Sequence, residues 1–222
     1  MPNSPEFPLL KTVSPPPLYG LVLLGGHSSR MGRDKALVIY HDRPQGLAAF
    51  DRLSAVCERV FLSCRAKQLE EPAFAETFRA MPLILDTYGN IGPLAGLLSA
   101  METYSPAAWL VLACDMPLVN DAVMGALLSR RDPAKWATVF KSVASNSDKP
   151  AFEPLCAIYE PVCLPAFQAA AREGRTGLQS LLCDFEQKGR LSVISPKEAL
   201  RDGQTALQGA NTPDEARRFL LP

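Results

Sequence analysis

The sequence has little of what marks exported, membrane-bound or nucleic-acid-binding proteins. Its 222 residues include 23 basic and 23 acidic side chains, so no net charge favours nucleic acid or an anionic membrane as a partner. No apolar run reaches the roughly 18 residues that a membrane span needs, and the first residues lack the pattern of a secretory signal. We therefore expect a cytoplasmic protein that binds neither nucleic acid nor membranes.

Cysteine patterns typical of disulfide frameworks or metal sites are also missing. The six cysteines are scattered, no two of them form a Cys-x-x-Cys pair, and several lie in apolar runs. In such runs a thiol behaves as a small buried hydrophobic group. The sequence therefore predicts neither disulfides nor a cysteine-bound metal.

The chain divides into a short arm and one domain. Residues 1–17 contain six prolines and little that could pack, which predicts a poorly ordered arm. From residue 18 to residue 222, buried apolar strands alternate with helical patterns. This alternation predicts an α/β fold: a single three-layer, Rossmann-like domain with a mostly parallel central sheet flanked by helices. In such folds the ligand binds at the carboxyl ends of the strands.

The individual elements follow from hydrophobic periodicity and from turn residues. We predict strands over residues 18–24, 59–64, 81–85, 109–114, 136–143, 155–159, 191–194 and 205–208. Helices are predicted over 45–57, 66–79, 92–98, 162–172 and 177–184, with a last helix starting near residue 212 and a polar loop over 144–150.

The stretch from Leu23 to Lys35 is the densest source of phosphate-binding groups. A buried strand ends there in Gly25 and Gly26, whose backbone amides can approach a ligand without a Cβ in the way. Ser28, Arg30 and Lys35 follow and would hold and neutralise a polyphosphate. The P-loop, dinucleotide-binding and nucleophile-elbow patterns do not fit these residues. A basic surface loop on an ordinary α/β domain is the alternative interpretation.

Two acidic residues follow predicted strands. Asp86 ends a short strand, and Asp115 ends the most strongly apolar one, in the sequence Cys-Asp-Met-Pro. A carboxylate at the end of a central strand is poorly solvated unless a cation lies beside it, and magnesium is the natural choice. The alternative is that Asp115 only caps a helix after Pro117.

The string from Gly25 to Ala36 closely resembles the signature loop of the molybdenum cofactor guanylyltransferases, which are nucleotidyltransferases of the nucleotide-diphospho-sugar type. Three further segments resemble the same family: Gly92 to Gly96 beside the nucleotide, Glu153 to Tyr159 near the acceptor, and Asn211 to Glu215. The resemblance spans residues 18–220 and is thin between residues 119 and 151.

The resemblance implies a reaction and its participants. GMP would pass from GTP to the phosphate of molybdenum-bearing molybdopterin, with release of pyrophosphate, and Mg2+ would be the cofactor. Lys35, Arg30 and Asp115 would be catalytic, and Asp115 and Asn211 would bind the metal. The nucleotide-binding residues would be Leu23, Leu24, Gly25, Gly26, Ser28, Lys35, Ser63, Asp86, Gly96 and Asp115.

Base choice and acceptor stay open at this stage. The paired glycines and the Gly-Pro-Leu-Ala-Gly segment favour guanine over cytosine, and Asp86 could bind either the base or the ribose. Leu24 replaces the family's usual alanine, and Ser63 replaces an asparagine found in some members. The alternatives are a relative that uses CTP or another phosphorylated acceptor, and a non-catalytic adaptor that passes the cofactor to molybdoenzymes or their chaperones.

Overall fold

The computed structural model describes residues 14–25, 34–40, 42–142, 151–200 and 205–209. Seven strands form one sheet: β1 (Leu18–Leu23), β2 (Arg59–Cys64), β3 (Leu83–Leu85), β4 (Ala108–Ala113), β5 (Ala137–Ser142), β6 (Ala151–Tyr159) and β7 (Leu191–Ile194). The α-helices are α1 (Gln45–Ser54), α2 (Pro72–Phe78), α3 (Pro93–Thr103), α4 (Asp121–Ser129), α5 (Leu164–Arg172), α6 (Leu178–Gln187) and α7 (Pro196–Ala199).

The direction of β6 decides which of its residues lie at the edge of the sheet formed by the carboxyl ends of β1 to β4. The strand order is β3-β2-β1-β4-β6-β5-β7. Strands β1 to β4 are parallel, and β6 runs antiparallel to both of its neighbours, β4 and β5. The first residues of β6 therefore lie at the same edge as the carboxyl ends of β1 to β4.

Alternating side chains of the central strands build two separate cores. In β1, Val22 packs with helices α1, α2 and α4, whereas its neighbours Leu21 and Leu23 pack with α3, α5 and α6. In β4, Leu110 and Val111 divide between the two faces in the same way. Helices cover both faces of these strands, which explains why the strand sequences are almost continuously apolar. The three-layer fold predicted from the sequence is confirmed.

Two of the predicted elements differ from the structure in kind. The helix predicted over 66–79 is a 3-10 helix, Ala66–Glu70, followed by α2, because Pro72 has no N–H to continue the first helix. The strand predicted over 205–208 is wrong: Thr205–Leu207 is a 3-10 helix. Ala206 and Leu207 are both buried in the same core, which consecutive residues of a strand, pointing to opposite faces, cannot achieve.

Some predictions lie outside the described residues. These are residues 1–13 of the proline-rich arm, the loop over 144–150 and the last helix from residue 212. The end of the arm is described, and the Pro17 carbonyl accepts a hydrogen bond from the Ala108 amide at 2.9 Å. All six cysteines are free. No helix in the described part of the chain is long and apolar enough to cross a membrane.

A buried ion pair lies at the amino-terminal edge of the sheet. Glu160 has no exposed side-chain surface, and Arg131 is 14% exposed. The guanidinium bonds both carboxylate oxygens, at 2.7 Å from Nε and 3.1 Å from one terminal nitrogen. The same terminal nitrogen donates to the Pro16 carbonyl at 2.8 Å. Arg131 thus neutralises a buried charge and attaches the chain before β1 to the domain.

We expect Arg131→Met to lower the free energy of unfolding by about 3–5 kcal/mol, because it leaves the Glu160 carboxylate buried without a partner. Urea denaturation measures this loss, and exposed Arg130→Met is the matched control. The double variant Arg131→Met with Glu160→Leu should recover most of the stability, since no unpaired charge remains. A single variant as stable as the control would contradict the assignment.

Candidate functional site

Four strand ends place polar groups side by side at the carboxyl edge of the sheet. In spatial order these are Asp86 after β3, Arg65 after β2, Gly25 after β1 and Asp115 after β4. Backbone hydrogen bonds beyond the strands hold this edge: the Leu24 amide donates to the Ser63 carbonyl, the Asp86 amide to Cys64 and the Cys114 amide to Leu23. The edge residues are therefore extensions of the sheet rather than free loops.

One cavity of about 230 Å³ opens at this edge, on the side of β3. Its lining combines strand ends with the loop before α3 and the first turn of α3. The lining residues are Leu23, Gly25, Ser63, Arg65, Asp86, Gly89, Asn90, Gly92, Pro93 and Gly96. Five of the ten residues predicted to bind a nucleotide, Leu23, Gly25, Ser63, Asp86 and Gly96, thus share one cavity.

A carboxylate held by a hydroxyl forms the polar end of this cavity. Ser63 Oγ donates to Asp86 Oδ1 at 2.6 Å. Burial raises the pKa of the Asp86 carboxyl, and the Ser63 hydrogen bond and the charge of Arg65 oppose that rise. The serine that replaces the family's asparagine therefore orients the carboxylate, and Asp86 can accept hydrogen bonds from a ligand's N–H groups.

The wall opposite the strands depends on two glycines of the Gly-Pro-Leu-Ala-Gly segment. Gly92 precedes α3 with φ of +68°, a conformation that favours glycine. A Cβ on Gly96 would lie only 2.2 Å from Ser63 Oγ, so α3 can approach β2 this closely only because Gly96 has no side chain. These two glycines bring the amino-terminal turn of α3 to the cavity, where its backbone dipole favours negative charge.

Beside the cavity, the lysine and the aspartate of the two strongest motifs are in contact. Lys35 Nζ lies 2.8 Å from Asp115 Oδ2, and their side chains are 14% and 21% exposed. Lys35 starts a short 3-10 helix, Lys35–Leu37, which is capped by the Asp34 carboxylate bonded to the Ala36 amide. The structure therefore places a cation and a carboxylate together at the edge, 80 residues apart in sequence.

A carboxylate that the sequence reasoning did not select lies on the other side of Asp115. The β4–β6 pairing ends at Leu112 and Cys156, and a bulge in β6 separates Cys156 from Glu153, which lies near enough to Asp115 for the two charges to interact. The Leu155 amide donates to Glu153 Oε1 at 2.9 Å. Burial raises the pKa of Glu153, the Leu155 hydrogen bond opposes this, and the Asp115 charge raises it further.

The donor set at this edge suits a hard divalent cation shared with a ligand. Magnesium in enzymes is typically held by one or two carboxylates together with substrate phosphates and water. Asp115 provides a partly exposed carboxylate of this kind. Among the described residues there is no group of three or more His, Cys, Asp or Glu side chains that could hold a metal by themselves.

The remaining predicted site residues divide into two groups. The Leu24 side chain is buried in the core, so only its backbone reaches the edge. Gly26, Ser28, Arg30 and Asn211 lie outside the described residues. The alternative role for Asp115 as a helix cap is wrong, because α4 starts at Asp121 and Asn120 provides its cap.

Comparisons with known proteins identify the family of this chain. Residues 20–189 match the family described as the MobA-like NTP transferase domain. The chain is 37% identical over 162 residues to a molybdenum cofactor biosynthesis bifunctional protein of Synechocystis sp., covering 73% of this chain but only 44% of that protein. A molybdenum cofactor guanylyltransferase of Pseudomonas putida is 28% identical over 197 residues, covering 84% and 97% of the two chains.

A solved structure shares the fold. The molybdopterin-guanine dinucleotide biosynthesis protein A of Archaeoglobus fulgidus superposes with a TM-score of 0.69 at 20% identity, covering 90% of this chain and 96% of that one. At this level of identity the likeness concerns the fold alone.

We expect Gly96→Ala to destabilise the protein by about 1–3 kcal/mol, because the new Cβ displaces Ser63 Oγ in a packed wall. Gly125→Ala is the matched control: Gly125 is also helical, a Cβ there meets nothing within 4 Å, and alanine should stabilise α4 by about 0.5–1 kcal/mol. Urea denaturation compares the two variants. Equal effects of the two substitutions would show that α3 does not need a glycine against β2.

Proposed function

Because the chain belongs to the family of MobA-like NTP transferase domains, we propose that it transfers GMP from GTP to the phosphate of molybdenum-bearing molybdopterin. The products are pyrophosphate and a molybdopterin guanine dinucleotide cofactor. The observation that carries this proposal is the contact between Lys35 and Asp115 beside the cavity that contains Asp86. The family is the one that the sequence resemblance predicts.

The order of groups along the edge matches the parts of a nucleotide. Asp86 and the start of α3 form the end of the cavity near β3, where the base would lie. Next along the edge is Gly25, just after β1. The Lys35–Asp115 pair lies at the same edge near β1 and β4, where the phosphates would lie. A carboxylate matches guanine, whose N1 and N2 atoms present adjacent donors, whereas cytosine presents no such pair.

The reaction asks the protein for alignment and charge neutralisation. An acceptor phosphate oxygen forms a bond to the α-phosphorus of GTP, and the bond from that phosphorus to the oxygen bridging to the β-phosphate breaks. The nucleophile is already an anion, so no general base is needed, and the scarcity of histidine is no objection. Lys35 would stabilise the negative charge that develops on the departing pyrophosphate.

We propose magnesium as the cofactor, with Asp115 as its protein ligand and Asn211 as a second contact. When bound, the ion supplies Lewis-acid stabilisation of the phosphate oxygens. The Lys35 ammonium bonds Asp115 in the present structure and would then be available to the phosphates. Arg30 would add a further cation from the signature loop.

Glu153 and the start of β6 mark the side from which the acceptor would approach. They lie beyond Asp115 on the flank of the sheet away from the base cavity. An in-line displacement needs the incoming and departing oxygens on opposite sides of the α-phosphorus. The molybdopterin would then lie over β6 and β5, on the side of the α-phosphorus away from the departing pyrophosphate. A cytoplasmic location and delivery of the product to molybdoenzymes or their chaperones are consistent with this activity.

Pyrophosphate release in the presence of GTP, magnesium and molybdenum-bearing molybdopterin tests the proposal. We expect Lys35→Met to lower kcat about 100- to 1,000-fold, the scale of one lost preorganised charge contact. Asp115→Asn should abolish the magnesium dependence of the remaining rate. Exposed Lys67→Met and Asp121→Asn are the matched controls and should retain normal turnover.

The same assay separates the alternatives. Turnover with CTP or with a sugar phosphate acceptor in place of the proposed pair would assign a different transfer reaction to the same site. GTP binding without magnesium-dependent turnover, unchanged by Asp115→Asn, would indicate the non-catalytic adaptor.

Guanine recognition by Asp86 makes a separate prediction. We expect Asp86→Asn to weaken GTP binding about ten- to a hundredfold, because one acceptor atom of a charged, bidentate contact becomes a donor. The affinity for inosine triphosphate, which lacks the 2-amino group, should fall less on Asp86→Asn than the affinity for GTP does. Isothermal titration calorimetry of both nucleotides with both proteins gives the comparison. Equal losses would assign Asp86 to the ribose instead.

The pH dependence follows from the pKa of Asp86, which burial raises. The ionised carboxylate accepts hydrogen bonds, so GTP affinity of the wild type should be complete above the pKa and decline as the pH falls through it. In the free protein, the folded state binds the Asp86 proton more tightly than the unfolded state does. The contribution of Asp86 to the free energy of unfolding is therefore complete below the ordinary pKa of an aspartate and is lost as the pH rises through the raised pKa. Both effects should be absent in Asp86→Asn.

A further inference from the structure

A buried glutamine links the two halves of the site. Gln68 lies in the 3-10 helix after β2, and it is 6% exposed. Its Oε1 accepts a hydrogen bond from the Arg65 amide at 3.0 Å and lies 3.5 Å from Arg65 Nε. Its Nε2 donates to Asp34 Oδ2 at 2.7 Å and to the Leu24 carbonyl at 3.3 Å. Both ends of one amide are therefore engaged, each on a different part of the site.

The acceptor end of the amide faces the base side. Arg65 lines the cavity that contains Asp86. Gln68 Oε1 holds both the backbone of Arg65 and the first nitrogen of its guanidinium. The terminal nitrogens of this guanidinium make no hydrogen bond to the described residues. The position of this cation in the cavity thus depends on Gln68.

The donor end of the amide faces the phosphate side. Asp34 uses one carboxylate oxygen to accept from Gln68 and the other to accept from the Ala36 amide, at 3.0 Å. That second bond caps the 3-10 helix that begins with Lys35. Lys35 in turn contacts Asp115. Gln68 therefore fixes the carboxylate from which the lysine's backbone is positioned.

We propose that Gln68 is a positioning residue, which keeps Arg65 on the base side and Lys35 on the phosphate side in fixed relation. The proposal rests on the proposed function for the roles of these two cations. Because one rigid amide spans both contacts, a nucleotide bound in the cavity would meet Lys35 already placed for its phosphates. Such preorganisation acts on the rate more than on substrate binding.

The chemistry of this position requires an amide. Glutamate keeps the acceptor for Arg65 but would place a second carboxylate against Asp34. Methionine, of similar length, would leave the Asp34 carboxylate and the Leu24 carbonyl without their donor. Only a side chain with a donor and an acceptor at fixed separation satisfies both neighbours.

The test compares Gln68→Glu with Asp34→Asn and with the double variant. In Gln68→Glu we expect kcat for pyrophosphate release to fall about ten- to a hundredfold, the scale of a small misplacement of a catalytic group. The KM for GTP should change less than about threefold, because the base cavity keeps its contacts. Exposed Lys67→Met, in the same short helix, is the matched control.

The double variant reverses the polarity of the bond between positions 34 and 68, while the longer bond to the Leu24 carbonyl stays lost. Its side-chain amide at position 34 can donate to the carboxylate introduced at position 68 and still accept from the Ala36 amide. We therefore expect kcat to recover to within about tenfold of the wild type, although each single variant is impaired. A purely structural role would instead lower the melting temperature of the single variants and leave the kcat of the folded protein unchanged.

A readout without substrate separates this proposal from the proposed function. Labelling of Lys35 by an amine-modifying reagent, measured by mass spectrometry, reports whether Lys35 stays against Asp115. We expect labelling to rise in Gln68→Glu and to return towards the wild-type level in the double variant. This pattern in a protein inactive on GTP would overturn the proposed reaction and retain the positioning role. Unchanged Lys35 labelling and kcat in Gln68→Glu would overturn the positioning role itself.

Discussion

The ion pair between Lys35 and Asp115 is the interaction on which the rest of the site depends. It joins the loop after the first strand to the end of the fourth, and both charges are largely withdrawn from water. Neither charge would be stable at this depth alone, because a buried charge requires a partner. Asp115 follows β4, and the segment that contains Lys35 is held by hydrogen bonds from the Gln45 amide to the Val38 carbonyl and from Gln68 to Asp34, so contacts between separate segments decide where the two charges meet.

The other carboxylates at this edge follow the same rule. The Ser63 hydroxyl holds Asp86, the Leu155 amide holds Glu153, and Gln68 with the Ala36 amide holds Asp34. Each donor comes from a strand or a short helix that is itself packed in the core. These side chains are therefore oriented in the absence of substrate, as the proposed binding of a polyphosphate at this edge requires.

Much of the fold was predictable because its elements have strong local signals. Strand β2 and strand β7 have the predicted bounds, and the strand ends correctly brought Asp86 and Asp115 to one edge. The sequence placed the segment from Glu153 near the acceptor by resemblance only and gave Glu153 no individual role, because the direction of β6 is a tertiary property: in a parallel strand its first residues would lie at the opposite edge. Gln68 was missed for a related reason, since a lone polar residue in a short helix gives no sign that three separate segments converge on it.

Because β6 runs in the reverse direction, the cavity near Asp86 and the surface beyond Asp115 are built from different segments of the chain. The two surfaces can therefore change independently in evolution. Every described contact to the base cavity comes from residues before the end of α3, whereas the start of β6 belongs to a later segment on the far flank of Asp115. With the acceptor placed as proposed, substitutions in β5 and at the start of β6 would remodel the acceptor surface while the donor surface stays intact. A scaffold of this kind can exchange one phosphorylated acceptor for another without rebuilding the machinery that cleaves the triphosphate.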